Sequence, residues 1–240
     1  GTYAADGALA NLTLGGGMAI ANTYNSRLQP DTMTVTRTSD SVKLLDYTYN
    51  FVSGSVNDGL VKSVANNVNH NRDQTYTYDE MNRLATAKSQ ATSGSNCWGL
   101  DYTYDRYANL SAAAISSDRG GTGCQAPTLS LSIDNTTNKI TNTNFTYDAA
   151  GDLTADSVGN TYTWNAEGLM ASTAGVNYTY DGDGKRVKKS SGKLYWYSGG
   201  QVIAESDTSG TITSEYIFFG GMRIARRDVS SGNVYYFLGD

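Results

Sequence analysis

One short aromatic pattern recurs along nearly the whole chain and limits the fold more than any other feature. Tyr47-Thr48-Tyr49-Asn50, Tyr76-Thr77-Tyr78-Asp79 and Tyr102-Thr103-Tyr104-Asp105 are three copies. Phe145-Thr146-Tyr147-Asp148, Tyr162-Thr163-Trp164-Asn165 and Tyr178-Thr179-Tyr180-Asp181 are three more. Degenerate copies stand at Tyr195-Trp196-Tyr197-Ser198, Tyr216-Ile217-Phe218-Phe219 and Tyr235-Tyr236-Phe237-Leu238. Tyr24-Asn25 and Tyr3 read as earlier, partial ones. From Phe145 onward the first aromatics lie 17, 16, 17, 21 and 19 residues apart. That period is too short for a helical repeat and suits two strands with two turns.

The local chemistry supports the same reading. Alternation along a strand puts both aromatics of Tyr-Thr-Tyr on one face and Thr on the other. These residue types all favour strands. The Asp or Asn that follows can bond its own backbone two residues on and open a turn. Gly151, Gly168 and Gly184 then supply positive φ, and Asn82 and Asn109 are expected in that place in two other copies. A second strand follows, as in Arg186-Val187-Lys188-Lys189. Ser157–Asn160, Ser190–Gly192, Asp207–Gly210 and Ser230–Asn233 close the units as hairpin loops. No helix is expected; the segment 165–173 holds Gly168 and lacks an apolar stripe. The expected fold is therefore all-β, with antiparallel hairpins stacked side by side in one array over residues 1–240. The spacing breaks at about 88–144, which reads as a less regular insertion. Such units bury their aromatic faces only against neighbouring units.

Composition narrows the function. Of 240 residues, 39% are hydrophobic and 18 are Tyr, so the chain is polar-surfaced but too regularly aromatic to be disordered. A net charge of −5 argues against nucleic acid as a partner. The one basic cluster is Lys185, Arg186, Lys188 and Lys189. In an unbroken strand Lys185 shares a face with Lys189, and Arg186 with Lys188, which reads as a solvated strand pair. No apolar run reaches the roughly 18 residues of a membrane span. Cys97 and Cys124 fit a disulfide pinning the insertion, worth about 3 kcal/mol in the chain-entropy model, or two buried free thiols. A disulfide would place the protein outside the cytoplasm.

The recurring Tyr-Asp-x-x-Gly, as in Tyr147-Asp148-Ala149-Ala150-Gly151 and Tyr180-Asp181-Gly182-Asp183-Gly184, resembles the YD repeat of Rhs proteins. Tyr78-Asp79-Glu80-Met81-Asn82 matches with Asn in the Gly place. The ending from Tyr235 to Asp240 resembles the entry to the Rhs core-end segment. The resemblance covers nearly all of the chain. The family includes bacterial Rhs polymorphic toxins, the B and C components of insecticidal Tc toxins, and teneurins. It implies a sheet of hairpins winding around a hollow as part of a shell, in a secreted or surface protein. In toxin members that shell encloses an effector released by aspartate-dependent self-cleavage. The Asp-Pro-x-Gly elements of that cleavage site are absent here, so Asp240 carries no catalytic role. The chain itself is expected to be a piece of a longer protein, whose remainder is its first partner, with an enclosed toxin domain as a further one.

Catalytic chemistry finds little footing. His70 lies in an Asn-rich, turn-like stretch, and no Gly-x-Ser-x-Gly surrounds a serine. Asp181 and Asp183 are the closest carboxylate pair, but a calcium loop wants a third oxygen-bearing position and a distal Glu. Leu14-Gly15-Gly16-Gly17-Met18 lacks the Lys-Ser or Lys-Thr of a phosphate loop and reads as a turn. No catalytic residue, metal or cofactor is expected. The remaining functional readings are an adhesion or carbohydrate-binding module, with Trp98, Trp164 and Trp196 stacking on sugar rings, and self-association through open strand edges.

Overall fold

The computed structural model describes residues 1–121 and 123–237. Leu238, Gly239 and Asp240, the end of the stretch that resembles the core-end entry, lie outside them. The chain divides into two compact units, residues 1–133 and 134–240.

The first unit carries an eleven-stranded antiparallel sheet among the described residues. Its strands follow one another in sequence order: Thr2–Tyr3, Leu9–Leu14, Met18–Tyr24, Pro30–Arg37, Val42–Asn50, Ser63–Asn66, Gln74–Tyr78, Leu84–Ser89, Gly99–Tyr104, Leu110–Ile115 and Leu129–Ser130. A two-stranded hairpin, Val52–Ser53 with Val56–Asn57, interrupts the order after Asn50. The second unit carries a nine-stranded sheet: Tyr162–Trp164, Met170–Thr173, Val176–Tyr180, Arg186–Lys189, Lys193–Ser198, Gln201–Ser206, Ile212–Phe219, Met222–Asp228 and Val234–Tyr236. The hairpin of Thr146–Tyr147 with Leu153–Ala155 precedes it, joined by a bridge between Ala155 and Thr161. Neighbour-to-neighbour order is what a tandem hairpin repeat dictates, because each short loop permits only an antiparallel return. Two 3-10 turns, His70–Arg72 and Ser117–Arg119, are the only helical segments among the described residues.

Most repeat hairpins share one kink, the Tyr47–Asn50 copy being paired in unbroken register. Tyr78 pairs with Leu84 and Thr77 with Thr86, so Ala85 is an extra residue on the returning strand. The same one-residue shift follows Tyr24, Tyr104, Tyr147, Trp164, Tyr180, Tyr197 and Phe218. A β-bulge of this kind bends a strand and strengthens its twist.

The core is thin and unevenly shared. Leu12, Leu14, Val35, Phe51, Ala87, Leu100 and Ala113 are buried in the first unit, whereas among the described residues of the second the buried apolar residue is Ala225. The aromatic face of the second unit is half-covered, so its cohesion rests on specific contacts between hairpins as well as on burial.

Candidate functional site

The repeating element is a turn, a strand pair and a cross-link. The Asp or Asn after each second aromatic builds the turn. Asp79 Oδ1 accepts from the amides of Met81 and Arg83, both at 2.9 Å. Asp105, Asn165 and Asp181 accept from the amides two and four residues on in the same way. Asp148 takes the amides of Ala150, Gly151 and Asp152. The loop needs positive φ three residues after the acid, and Asn82, Gly151, Gly168 and Gly184 supply it. In the Asp105 copy that residue is Ala108, at φ 67°, and not Asn109 as expected. Asn109 stands one place later and donates its side-chain amide to Asp105. The carboxylate therefore over-determines the turn strongly enough to hold a Cβ-bearing residue in a left-handed conformation.

Two of the loops expected to close the units use the same device. Asp156 and Asp207 follow no Tyr-x-Tyr, yet each accepts from the amides two and four residues on. Their signal was Asp-x-x-Gly alone. The side chains of Asn160 and then Tyr162 hold Asp156 down at about 2. Asp79, Asp105 and Asp207 are also lowered, chiefly by the Arg83 amide, the Asn109 side chain and the Ser209 hydroxyl respectively.

The second aromatic of a repeat reaches back to the hairpin before it. Tyr104 donates its hydroxyl to the carbonyl of Leu84 at 3.0 Å, Trp164 its indole N–H to Leu153 at 2.7 Å, Tyr180 its hydroxyl to Met170 at 2.7 Å and Tyr197 to Arg186 at 3.0 Å. The acceptor is in every case the residue paired with the previous repeat's second aromatic. A bulge lies beside that residue in each of these hairpins. Tyr24 makes the equivalent bond to Leu9, Tyr78 donates to Val61, three residues before the partner of Tyr49, and Tyr147 accepts from the Ile140 amide. Tyr49 begins the copy whose loop carries the side hairpin; its ring meets that of Tyr47 edge-on at 6.5 Å. Cations seal the same face: Arg83 lies 4.5 Å from the Tyr104 ring centre and Lys62 5.1 Å from that of Tyr78.

The opposite face is hydroxylic. Thr23 meets Thr32, Thr77 meets Thr86, Thr146 meets Thr154 and Thr163 meets Ser172, at 2.7 to 2.8 Å. Beyond them Trp196 and Ile217 take the Thr position and are 46% and 41% exposed.

The bulge also re-sorts the basic cluster. Arg186 pairs with Tyr180, Lys188 with Thr179 and Lys189 with Tyr178. Arg186 and Lys189 thus share the aromatic face, and Lys188 alone faces the threonine side. Alternation had put Arg186 with Lys188; the inserted Val187 breaks it. Arg186 lies between the rings of Tyr178 and Tyr195, at 5.1 and 5.4 Å.

Trp164 and Trp196 stand on opposite faces of their sheet. Trp164 points to the aromatic face with its N–H committed to Leu153. Trp196 stands on the other face, its N–H on the Ser206 hydroxyl at 3.0 Å. Trp98 belongs to the other unit, held by backbone bonds to Ser89. His70 meets Asp73 beside its 3-10 turn.

Cys97 and Cys124 are joined as a disulfide. It closes a segment anchored by a residue that sequence reasoning missed. Arg119 is only 8% exposed and donates Nε and Nη2 to the Ser89 carbonyl at 3.1 and 2.8 Å, with Asp118 against Nη1 at 3.0 Å. Its stem fills the space over Gly99, where a Cβ would come within 2.6 Å of Arg119 Cγ.

No protein-family model matches the chain, and no curated protein matches it. Solved structures do. A Photorhabdus luminescens Tc holotoxin pore aligns over 95% of this chain with a TM-score of 0.68 and 20% identity. A crystal structure of TcdB2–TccC3–Cdc42 aligns over 91% with a TM-score of 0.63 and 18% identity. The fold is shared. This chain spans 13% and 15% of the length of those chains.

Proposed function

We propose that this chain is a non-catalytic structural scaffold, a section of the wall of an Rhs/YD-repeat shell in a secreted or surface protein. One observation carries the reading: the second aromatic of successive repeats donates to the backbone of the repeat before it. A sheet so stitched is built to propagate, each hairpin binding its predecessor and offering a carbonyl to its successor. The carboxylates of the repeat accept from turn amides, a structural use that supports the scaffold reading. The similarity to Tc toxin components supports the same role, as does the small share of those longer chains that this one spans. The disulfide agrees with an oxidising location. The partners are the remainder of a longer chain and a polypeptide enclosed by the wall.

Electron microscopy of the full-length parent chain tests the reading. The expected result is a closed wall containing this segment, with density inside. An open sheet that presents its aromatic face to solvent overturns it.

A further inference from the structure

The turns along one end of the first unit's sheet expose apolar side chains. Strands Met18–Tyr24, Val42–Asn50, Gln74–Tyr78 and Gly99–Tyr104 run the same way, so the turns that follow them share that end. On those turns Leu28, Val52, Val56, Met81 and Tyr107 are between 44% and 68% exposed. Adjoining hairpins lie two strands apart, which spaces the turns by about 10 Å and makes the row roughly 30 Å long. The row is tied together. Arg27 donates to the Asn57 carbonyl at 2.6 Å, Tyr78 to Val61 at 2.8 Å and Arg83 to Asp105 at 3.5 Å. The second unit has no such edge at the matching loop position: Met81 and Tyr107 correspond to Ala150, Glu167 and Asp183. Leu28 stands three residues after Asn25, whose side chain accepts from the amides of Arg27 and Gln29, and its φ is 63°. A Cβ is disfavoured in that conformation and an exposed side chain forgoes burial, so this leucine gives the fold less than Asn or Gly would.

We propose that this edge docks on the surface of a zwitterionic phospholipid bilayer. Its apolar groups are knobs on separate turns. A rigid partner would need a matching socket for each, whereas a fluid acyl layer closes around them all. The side hairpin is built to enter such a layer. Residues 47–57 carry no charged side chain, and Phe51 is buried at its base. Val52 pairs with Asn57 and Ser53 with Val56, so its backbone is bonded internally and each face carries a valine. The charges fit the headgroups. Among the described residues Arg27 and Arg106 form no ion pair; Arg27 rests on the Asn57 carbonyl, and Arg106 lies 4.6 Å from the Tyr107 ring centre. Their remaining N–H groups suit lipid phosphates, and Tyr107 has the apolar ring and polar tip of an interfacial residue. Asp58 and Asp79 are paired with Lys62 and Arg83. Glu80 and Asp105 then balance Arg27 and Arg106, which matches a headgroup carrying both signs.

Flotation of the full chain with phosphatidylcholine vesicles tests the proposal. The chain is expected to rise with the lipid, half-bound at about 1 mM lipid or less, and to do so equally at about 0.1 M and about 1 M salt, because apolar contact carries the binding. Val56→Ser combined with Met81→Gln is expected to weaken it at least about tenfold. Tyr107→Asn, on a separate turn, is expected to weaken it by a similar factor, which decides the matter if the double variant melts early. Val158→Ser, at a more exposed valine on a loop of the second unit, is expected to bind unchanged. No flotation, release at high salt, an equal loss in Val158→Ser, or indifference to both rim variants overturns the assignment. So does a lipid-free dimer in sedimentation velocity that the same double variant dissociates, which would make the edge a contact between two copies of the chain.

Discussion

The phenol hydroxyl of Tyr180 donates to the main-chain carbonyl of Met170 at 2.7 Å, one repeat back along the sheet. Met170 is the residue that pairs with Trp164 across its turn. A side chain thus closes a bond between hairpins whose regular ladder contacts are interrupted by a bulge. Tyr180→Phe keeps the ring and leaves the carbonyl without its donor. The expected cost is about 1–2 kcal/mol. Urea unfolding followed by tyrosine fluorescence measures it, and an unchanged midpoint would mean the ring alone holds the hairpins.

Ala108 occupies the left-handed position of the Asp105 loop. A Cβ is disfavoured there by about 1–2 kcal/mol, against a loss of about 0.5–1 kcal/mol from the greater chain entropy of glycine. Ala108→Gly is therefore expected to stabilise the protein by about 0.5 kcal/mol. The reverse change at Gly151, where φ is 97°, is expected to destabilise. Paired thermal melts of the two variants test both signs.

The turn carboxylates make stability depend on acid. Asp156 titrates at about 2 in the fold, held down by Asn160 and Tyr162, against an ordinary 3.8. A carboxyl group lowered by folding contributes fully above its unfolded value and loses that contribution as pH falls through the folded one. Asp79, Asp105 and Asp207 shift in the same direction. Stability is therefore expected to be flat above about pH 4 and to fall between about pH 4 and 2. Asp156→Asn, which keeps an acceptor oxygen as Asn165 does, should preserve the turn and make that fall shallower. Carbon-detected NMR titration of the Asp carboxyls locates the midpoint directly; a midpoint near 3.8 for Asp156 would contradict the assignment.

Gly99 is tied to Arg119 by contact rather than by backbone freedom. A methyl group there would meet Arg119 Cγ at 2.6 Å and the Lys88 Cβ at 3.0 Å. Gly99→Ala is expected to cost about 1–3 kcal/mol through overpacking and loss of the Arg119 bonds to Ser89. Hydrogen exchange should show the loss concentrated at residues 89–99 and 116–125. Protection unchanged in those segments would show that Arg119 can move aside at no cost.

Much of this fold was legible in the chain because its signals are local. Tyr-Thr-Tyr-Asp states a strand and then a turn within a few residues, and antiparallel return is the only route a short loop allows. Sequence-order sheets, the division into aromatic and threonine faces and the Asp-built loops all follow from that. Even the loops at Asp156 and Asp207 carried their mark, as Asp-x-x-Gly without a preceding aromatic pair.

What the chain did not disclose depends on three-dimensional neighbours. The bulge adds one residue to the returning strand after Tyr180, so strict alternation misplaces Arg186 relative to Lys188. The acceptor for Tyr180 lies in another repeat and is a backbone carbonyl, which no residue type marks. Arg119 is buried because Gly99 leaves it room and Ser89 offers a carbonyl, partners 20 and 30 residues away in the chain. The sequence by itself determined the repeated strand and turn, since those are set by each residue's own torsional preferences and nearest bonds. Only the tertiary structure decided which groups cross-link the hairpins and which side chains share a face beyond a bulge, since these depend on neighbours that exist only once adjoining repeats are in place.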